Sequence, residues 1–499
     1  MGIIRKQAIA GSVFAYLGIA VGFVNAIILA PRALTSTQIG LTSILVAYSL
    51  PFVQLSSLGF SGVISRIFPY FRDGKSDHHG FLALALAVTM IGFMLSIVIF
   101  LVLKPWIVRD NIDQSPLFVE YLFYLIPLIF FSLVFNLLDT YNRVLYDAVL
   151  GTFLKDFLFK VVYALVLLSY LFHLLTFPQF VFAFIAVQSL PAAVIAGILI
   201  YRKQFSLKFE LKYVSRRMRK LMVSISFFAI LSGLSGIAIS TIDRLMINSM
   251  INLSATGIYT VSFYFSVLLM VPMRSIRNIS TPVIAEQMKI KDFAAMKLVY
   301  FESSLNQLLI GFLIFIGIWA NVHNIFELLP KEYEQGKWVI LFMMMAKLFE
   351  MTTGIGNIII AVSRYYRYQT WFMLFLIVLV GLTNLLLIPR YGITGAAIAS
   401  ALSSFVYNLV RIIFIWARFK MQPFRWNFLK MFLVAAATYL LSLFIPTIHN
   451  YIWDILIRSC FILFFYGVSV FLLKISATVN QLLGQSVAVL KERTGKHND

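Results

Sequence analysis

Residues 81–103 read FLALALAVTMIGFMLSIVIFLVL, a run of 23 with no charge and only Thr89 and Ser96 as hydroxyl-bearing side chains. An α-helix rises about 1.5 Å per residue, so about 20 such residues cross the roughly 30 Å hydrocarbon layer of a bilayer. The charges stop at its borders, with Asp77 before it and Lys104 and Arg109 after it. The same pattern recurs to the end of the 499 residues, of which 61% are hydrophobic and 12% charged, at a mean hydropathy of +0.91. Soluble domains hold roughly 45–50% apolar and about 25% charged residues. The expected class is therefore an all-α, polytopic membrane protein.

Counting outward from that run gives fourteen expected transmembrane helices: 10–30, 41–64, 81–103, 118–138, 149–172, 178–201, 221–242, 255–273, 301–320, 338–362, 368–388, 393–417, 430–446 and 452–473. The expected domains are a six-helix bundle over 1–201, a basic linker over 202–220 and a second six-helix bundle over 221–418. An extra helix pair over 419–474 and an amphipathic tail over 475–499 complete the chain. With the N-terminus inside, only eight of the 41 Lys and Arg fall on the opposite face: Arg32, Lys104, Arg109, Arg244, Lys331, Lys337, Arg390 and Arg458. The positive-inside rule then puts both termini in the cytoplasm. Arg5 and Lys6 precede a first span too long for a cleaved signal, which reads as a retained helix. Three cytoplasmic segments look surface-lying: the 202–220 run with eight Lys or Arg; 286–299, with Met288, Phe293, Met296 and Val299; and the tail, with Val479, Leu482, Leu483, Val487 and Leu490.

Several function classes fall away. The formal charge of +21 sits in short loops, so it does not form the basic groove that nucleic acid requires. Cys460 is the only cysteine, which excludes an intramolecular disulfide. His78-His79 has no Cys nearby and reads as a solvated loop pair. No phosphate-cradling Gly-Lys-Ser/Thr loop and no nucleophile–base constellation occurs, so neither ATP hydrolysis nor another enzymatic activity is expected, and no cofactor. No outer loop is long enough for the catalytic domain of a glycan polymerase or ligase.

An internal echo relates Leu34-Thr-Ser-Thr-Gln-Ile-Gly40-Leu-Thr-Ser43 to Met250-Ile-Asn-Leu-Ser-Ala-Thr-Gly257-Ile-Tyr-Thr260. In each, a polar turn leads to a glycine that opens an apolar helix after the first span of a six-span set. Two like halves in the same orientation imply a parallel pseudo-repeat.

Pro31-Arg32-Ala33-Leu34 with Gln38-Ile39-Gly40-Leu41 resembles the end of the first helix in the polysaccharide/lipid-linked oligosaccharide flippases, the O-antigen flippase-like branch of the multidrug/oligosaccharidyl-lipid/polysaccharide exporter superfamily. Ser57-Leu58-Gly59-Phe60 with Ser65-Arg66 and Pro69 resembles the end of its second helix. Ser240-Thr-Ile-Asp243-Arg244-Leu-Met-Ile247 with Gly257-Ile258-Tyr259 is similar to the start of its second half. Pro389-Arg-Tyr-Gly392-Ile-Thr-Gly395-Ala-Ala397-Ile-Ala399 is similar to its turn into the twelfth helix. The resemblance covers about residues 1–420. It implies two six-helix bundles around a cavity, alternating access and no covalent chemistry. The implied cargo is a polyprenyl-diphosphate-linked oligosaccharide, moved from the cytoplasmic to the outer leaflet of a bacterial inner membrane for surface polysaccharide biosynthesis. It also implies a monomer, with membrane lipids and a glycan polymerase or ligase as partners. Two further readings stay open: a multidrug or cation antiporter of the same superfamily, and a peptidoglycan-precursor flippase.

A charge near the bilayer centre costs about 2.5–3.5 kcal/mol on insertion scales, so each needs a partner or a purpose. An anionic headgroup needs cations, which makes Lys160, Lys155, Lys347 and Arg411 candidates for a cavity and Arg32, Arg66, Arg244 and Arg274 candidates for its mouths. Glu350, three residues after Lys347, either neutralises that lysine or takes up a coupling proton. Asp243 and Arg244 also read as structural caps at a helix end.

Overall fold

The structure, a computed structural model, describes residues 2–73, 77–208 and 213–481. Lys75, residues 209–212 of the basic run and the tail positions Leu482, Leu483, Val487 and Leu490 lie outside the described residues, as do the side chains of Arg5 and Lys6. Among the described residues all regular structure is helical. That is what hydrocarbon demands, since a helix satisfies its peptide groups within the segment. The chain divides into two compact units, Met1–Tyr264 with Ile377–Ala396, and Phe265–Leu376 with Ala397–Asp499.

The first unit contains α1 (Ile9–Ala33), α2 (Ser36–Ser56), α3 (Phe81–Asn111), α4 (Leu125–Val144), α5 (Phe159–Leu171), α6 (Phe177–Tyr201), α7 (Arg216–Met250) and α8 (Leu253–Val267) as far as Tyr264. Helix α2 is its hub, packing on α3, α4 and α7. The uncharged run of α3 shows how sequence decides packing. Ile91, Met94, Val98 and Val102 recur at helical spacing and are exposed, the face a membrane protein gives to lipid. The opposite stripe, Ala85, Thr89, Gly92, Ser96 and Phe100, is buried. Its small residues let backbones touch, the usual device for packing helices without water. A Cβ on Gly92 would lie 2.1 Å from the Ser56 carbonyl oxygen, and the Ser56 and Ser96 hydroxyls are 2.5 Å apart.

Thr35 starts α2 with a capping box. Its hydroxyl accepts from the Gln38 amide and the Gln38 side chain accepts from the Thr35 amide, so two orphan donors of the first turn are satisfied. The expected span 41–64 is interrupted, because α2 stops at Ser56 and a short helix, Phe60–Ile67, follows. Gly59 makes the break, with φ 69° and a position where a Cβ would sit 2.2 Å from the Ser226 carbonyl oxygen of α7. The charged stretch 149–172 is helical through Leu171, with a π-helical turn at Phe153–Leu158. Another π turn, Val24–Leu29, lies in α1. The two segments meet so closely that a Cβ on Gly18 would lie 1.9 Å from the Asp156 carbonyl oxygen. Gly18→Ala is therefore expected to reduce the amount of monodisperse protein recovered from membranes, read by size-exclusion chromatography, whereas Gly11→Ala, which meets nothing within 4 Å among the described residues, leaves it unchanged.

The second unit contains α9 (Met270–Ile290), α10 (Phe293–Ala320), α11 (Lys337–Thr352), α12 (Gly356–Val362), α13 (Arg367–Phe419) except its residues 377–396, α14 (Trp426–Ser442) and α15 (Tyr451–Leu472). Helix α10 is the hub here, touching α9, α11, α14 and α15. The stretch 286–299 is not one surface-lying helix. Lys291 takes a left-handed conformation (φ 59°) and Asp292 caps α10 through the Ala295 amide. Met296 is fully buried beside Ile284 and Ile359, with Met288 and Val299 packed on the same cluster, so the apolar side serves a core. The expected span 338–362 bends by 49° between α11 and α12, at Gly354 (φ 48°). Helix α13 carries the expected spans 368–388 and 393–417 on either side of Gly392, whose φ of 58° and ψ of −138° break the helix.

The last helix pair is tied down by a buried charge cluster. Arg458 and Asp454 of α15 lie 3.2 Å apart, and both are buried. Asn324 also donates to the carboxylate, while Arg458 donates to the Ser442 carbonyl at the end of α14 at 2.6 Å. Among the described residues nine helices are long and apolar enough to cross a membrane, or eleven if two bent pairs each count as one span. The chain is a multi-pass membrane protein.

Candidate functional site

Two of the expected cations, Lys160 and Arg244, share one cavity of about 280 Å³ in the first unit. They reach it from α5 and α7, and Asn25, Gln188, Tyr163 and Tyr264 line it beside them. Both cations are half-buried. Lys160 Nζ donates to the Gly18 carbonyl at 2.9 Å, and Asn25 returns a hydrogen bond to the Lys160 carbonyl at 2.7 Å. The lysine is thus held across the α1–α5 contact, with its charge beside the cavity. Arg244 donates to Ser43 Oγ at 3.4 Å and to the Ser240 carbonyl at 3.1 Å. The wall offers cations for a phosphate, amides and hydroxyls for sugar oxygens, and aromatic rings for sugar faces.

A second group of charges lies in the second unit. Lys347 Nζ is 3.0 Å from Glu350 Oε2, and Arg277 of α9 is 3.7 Å from Glu350 Oε1. Arg411 of α13 is 4% exposed, donates to Asn408 Oδ1 at 3.2 Å and stands 5.1 Å from the Tyr407 ring centre. Among the described residues its Nε has no hydrogen-bond partner. Thr353 of this unit donates to the same Asn408 oxygen at 2.8 Å. Three cations against one carboxylate leave this region positive.

The other expected site residues are elsewhere. Lys155 is exposed, 3.4 Å from Asn136 Oδ1 and 5.2 Å from the Phe135 ring centre, and does not line the cavity. Arg32, Arg66 and Arg274 are exposed and do not line it either. Arg277 was not among the expected site residues. It sits 73 positions before Glu350, and no local pattern connects them.

Asp243 is not a cap at a helix end. It lies seven residues before the end of α7 and is 9% exposed. Tyr259 donates to its Oδ2 and Asn384 to its Oδ1, each at 2.7 Å. A carboxylate inside a membrane protein, next in sequence to a cavity arginine, joins Glu350 as a coupling candidate. Its partners come from 16 and 141 positions away, so the sequence hides them.

The echo between residues 34–43 and 250–260 has a structural counterpart in the first unit. A Cβ on Gly40 would lie 1.9 Å from the Leu253 carbonyl oxygen, and one on Gly257 would lie 1.9 Å from that of Ser36. One offset of 217 residues relates both glycines and both carbonyls. The same offset relates Ser43 and Thr260, whose hydroxyls meet at 2.8 Å.

Comparison with solved structures places this fold. The structure described as the lipid II flippase MurJ in an inward closed conformation matches with a TM-score of 0.72 at 12% identity, covering 93% of this chain and 98% of that one. An inward-facing multidrug resistance MATE family transporter of the MOP superfamily matches with a TM-score of 0.62 at 15% identity, over 82% of this chain and 94% of that one. A MOP superfamily transporter from Pyrococcus furiosus, described as having a binding pocket of reverse polarity, gives a TM-score of 0.52 at 14% identity, over 83% and 96%. No curated protein sequence matches. The family model described as "Polysaccharide biosynthesis protein" matches residues 4–288, more than half of the chain. The fold is that of these solved structures, and on the family model the chain belongs to the polysaccharide biosynthesis protein family.

Proposed function

We propose that this transporter flips a polyprenyl-diphosphate-linked oligosaccharide from the cytoplasmic to the outer leaflet of the bacterial inner membrane by alternating access. The observation that carries the reading is Lys160 and Arg244 beside one cavity. A diphosphate leaving water needs such charge-assisted donors, and the hydrated sugars behind it need the amides and rings of the same wall. Lys347, Arg277 and Arg411 supply a second positive region, in the other unit. Arg32, Arg66 and Arg274 serve the cytoplasmic or outer approaches. Asp243 or Glu350 carries the coupling.

Fourteen spans complete this reading: the helix 149–171, the two halves of α13 and the short α14 each count once. Both termini are then cytoplasmic, and the starts of α2 and α8 face outward. The bundles cover 1–201 and 221–418, with the linker at 202–220, the extra pair at 419–474 and the tail at 475–499. The protein acts as a monomer supplying a glycan polymerase or ligase. A peptidoglycan-precursor cargo uses the same diphosphate chemistry and is the second reading, favoured by the likeness to a lipid II flippase. An antiporter for organic cations is disfavoured by the sign of the charges beside the cavity.

Deletion of the gene should make lipid-linked oligosaccharide accumulate in the cytoplasmic leaflet, measured by leaflet-specific labelling. Unchanged pools of oligosaccharide lipid, with accumulated peptidoglycan precursor instead, would transfer the protein to the second reading.

A further inference from the structure

Where α2 crosses α8, the contact is made of small residues and backbone. Gly40 and Gly257 bring each helix against the other's carbonyls, and the Ser36 and Ser254 hydroxyls meet at 2.7 Å toward the helix starts. The inner end of the seam is Ser43 with Thr260, and both line the cavity that holds Lys160 and Arg244. The direction of the hydrogen bonds there follows from counting protons. Thr260 Oγ1 donates its one proton to the Thr256 carbonyl at 2.7 Å, so toward Ser43 it accepts. Ser43 therefore donates to Thr260, and its own lone pair takes the Arg244 guanidinium at 3.4 Å. The result is a directed chain, Arg244 to Ser43 to Thr260 to the Thr256 carbonyl, each bond polarising the next.

We propose that this chain is a clasp closing the α2–α8 seam, and that an anion entering the cavity opens it by taking Arg244. The Arg244–Ser43 bond is long and its acceptor neutral. A phosphate oxygen offers the same guanidinium a shorter, charge-assisted and bidentate partner. Once Arg244 turns to the anion, Ser43 loses the donor that polarises it, and the seam is left to its hydroxyl pairs and glycine contacts. Cargo arrival and opening of the seam on the proposed outer face are thereby one event. The inference rests on the diphosphate cargo proposed above, and the test separates the two.

Cys460 is the only cysteine, so a C460S background frees the chain for engineered thiols. In it, S36C with S254C places two sulfurs where hydroxyls now touch, and the rate of disulfide formation in purified protein reports closure. Inorganic pyrophosphate should slow that rate relative to sodium chloride of equal ionic strength, by at most about threefold, the effect of losing the whole Ser43–Thr260 bond across the seam. R244A, and independently S43A, should slow it without any pyrophosphate and remove the response. R244K should restore part of it. A rate blind to pyrophosphate, or a response that persists in both R244A and S43A, overturns the clasp. In cells, oxidised S36C/S254C should stop export of lipid-linked oligosaccharide and a thiol reductant should restore it. A seam that answers pyrophosphate while oxidation leaves export intact keeps the clasp and overturns the cargo.

Discussion

Lys160→Ala and Arg244→Ala are each expected to lower export of lipid-linked oligosaccharide about tenfold or more, with protein levels matched by immunoblot. A hydrogen bond to a charged group contributes about 1.5–3 kcal/mol, and about 1.4 kcal/mol is a factor of ten. Either cation can supply that much to a phosphate in the cavity. Lys160→Arg should retain more activity than Lys160→Met, because the charge and not the chain length is what the headgroup needs. Lys155→Ala is the contrast. Its side chain is exposed and outside the cavity, so export should change less than twofold, as expected of a surface substitution. Equal losses at positions 155 and 160 would show that the cavity is not the path of the charge.

Asp454→Ala is expected to be the most destabilising single change in the second unit. It leaves Arg458, 3% exposed, without its carboxylate while the surrounding helices still exclude water. Breaking a buried pair from one side costs about 3–5 kcal/mol, whereas replacing both partners by apolar residues is often nearly neutral. The thermal midpoint in detergent should therefore fall sharply for Asp454→Ala and recover in the double variant Asp454→Leu/Arg458→Met. His323 and Asn324 also donate to the carboxylate and hold the pair to the α10 side of the unit, so Asn324→Ala should produce a smaller loss in the same direction. A double variant as unstable as Asp454→Ala would mean that these residues act through packing rather than charge.

The helices were legible because hydrocarbon leaves the backbone one solution, and the run at 81–103 states it without ambiguity. Their breaks were partly legible. Gly59 and Gly392 stand inside the stretches that carry the family resemblance, and both take positive φ. What those glycines do was not legible, because Gly59 meets Ser226 from a helix far along the chain. The stretch 286–299 misled because lysines between apolar residues look like a surface helix, whereas its Met288, Met296 and Val299 pack into a core. Lysine in an apolar run flags itself, and Lys160 could be named from that alone. Arg277, Asp243 with Asn384, and the Arg244–Ser43–Thr260 chain could not, since their partners lie in other helices and leave no spacing to read. The echo of Gly40 in Gly257 was visible as similar turns. Its meaning, two backbones in reciprocal contact, lies in packing between segments 217 residues apart and leaves no spacing to read.

Reconstitution tests whether the protein moves an anionic glycolipid headgroup across a bilayer. Purified protein would be placed in vesicles carrying undecaprenyl-diphosphate-linked oligosaccharide, and the fraction of glycan exposed to an impermeant oxidant followed over time. Exposed glycan should be consumed first in every sample, with the inner pool following only where wild-type protein is present and much more slowly with Lys160→Ala/Arg244→Ala. An inner pool that stays protected in the presence of correctly folded wild-type protein, under an imposed proton or sodium gradient of either sign, would show that the protein does not flip this lipid.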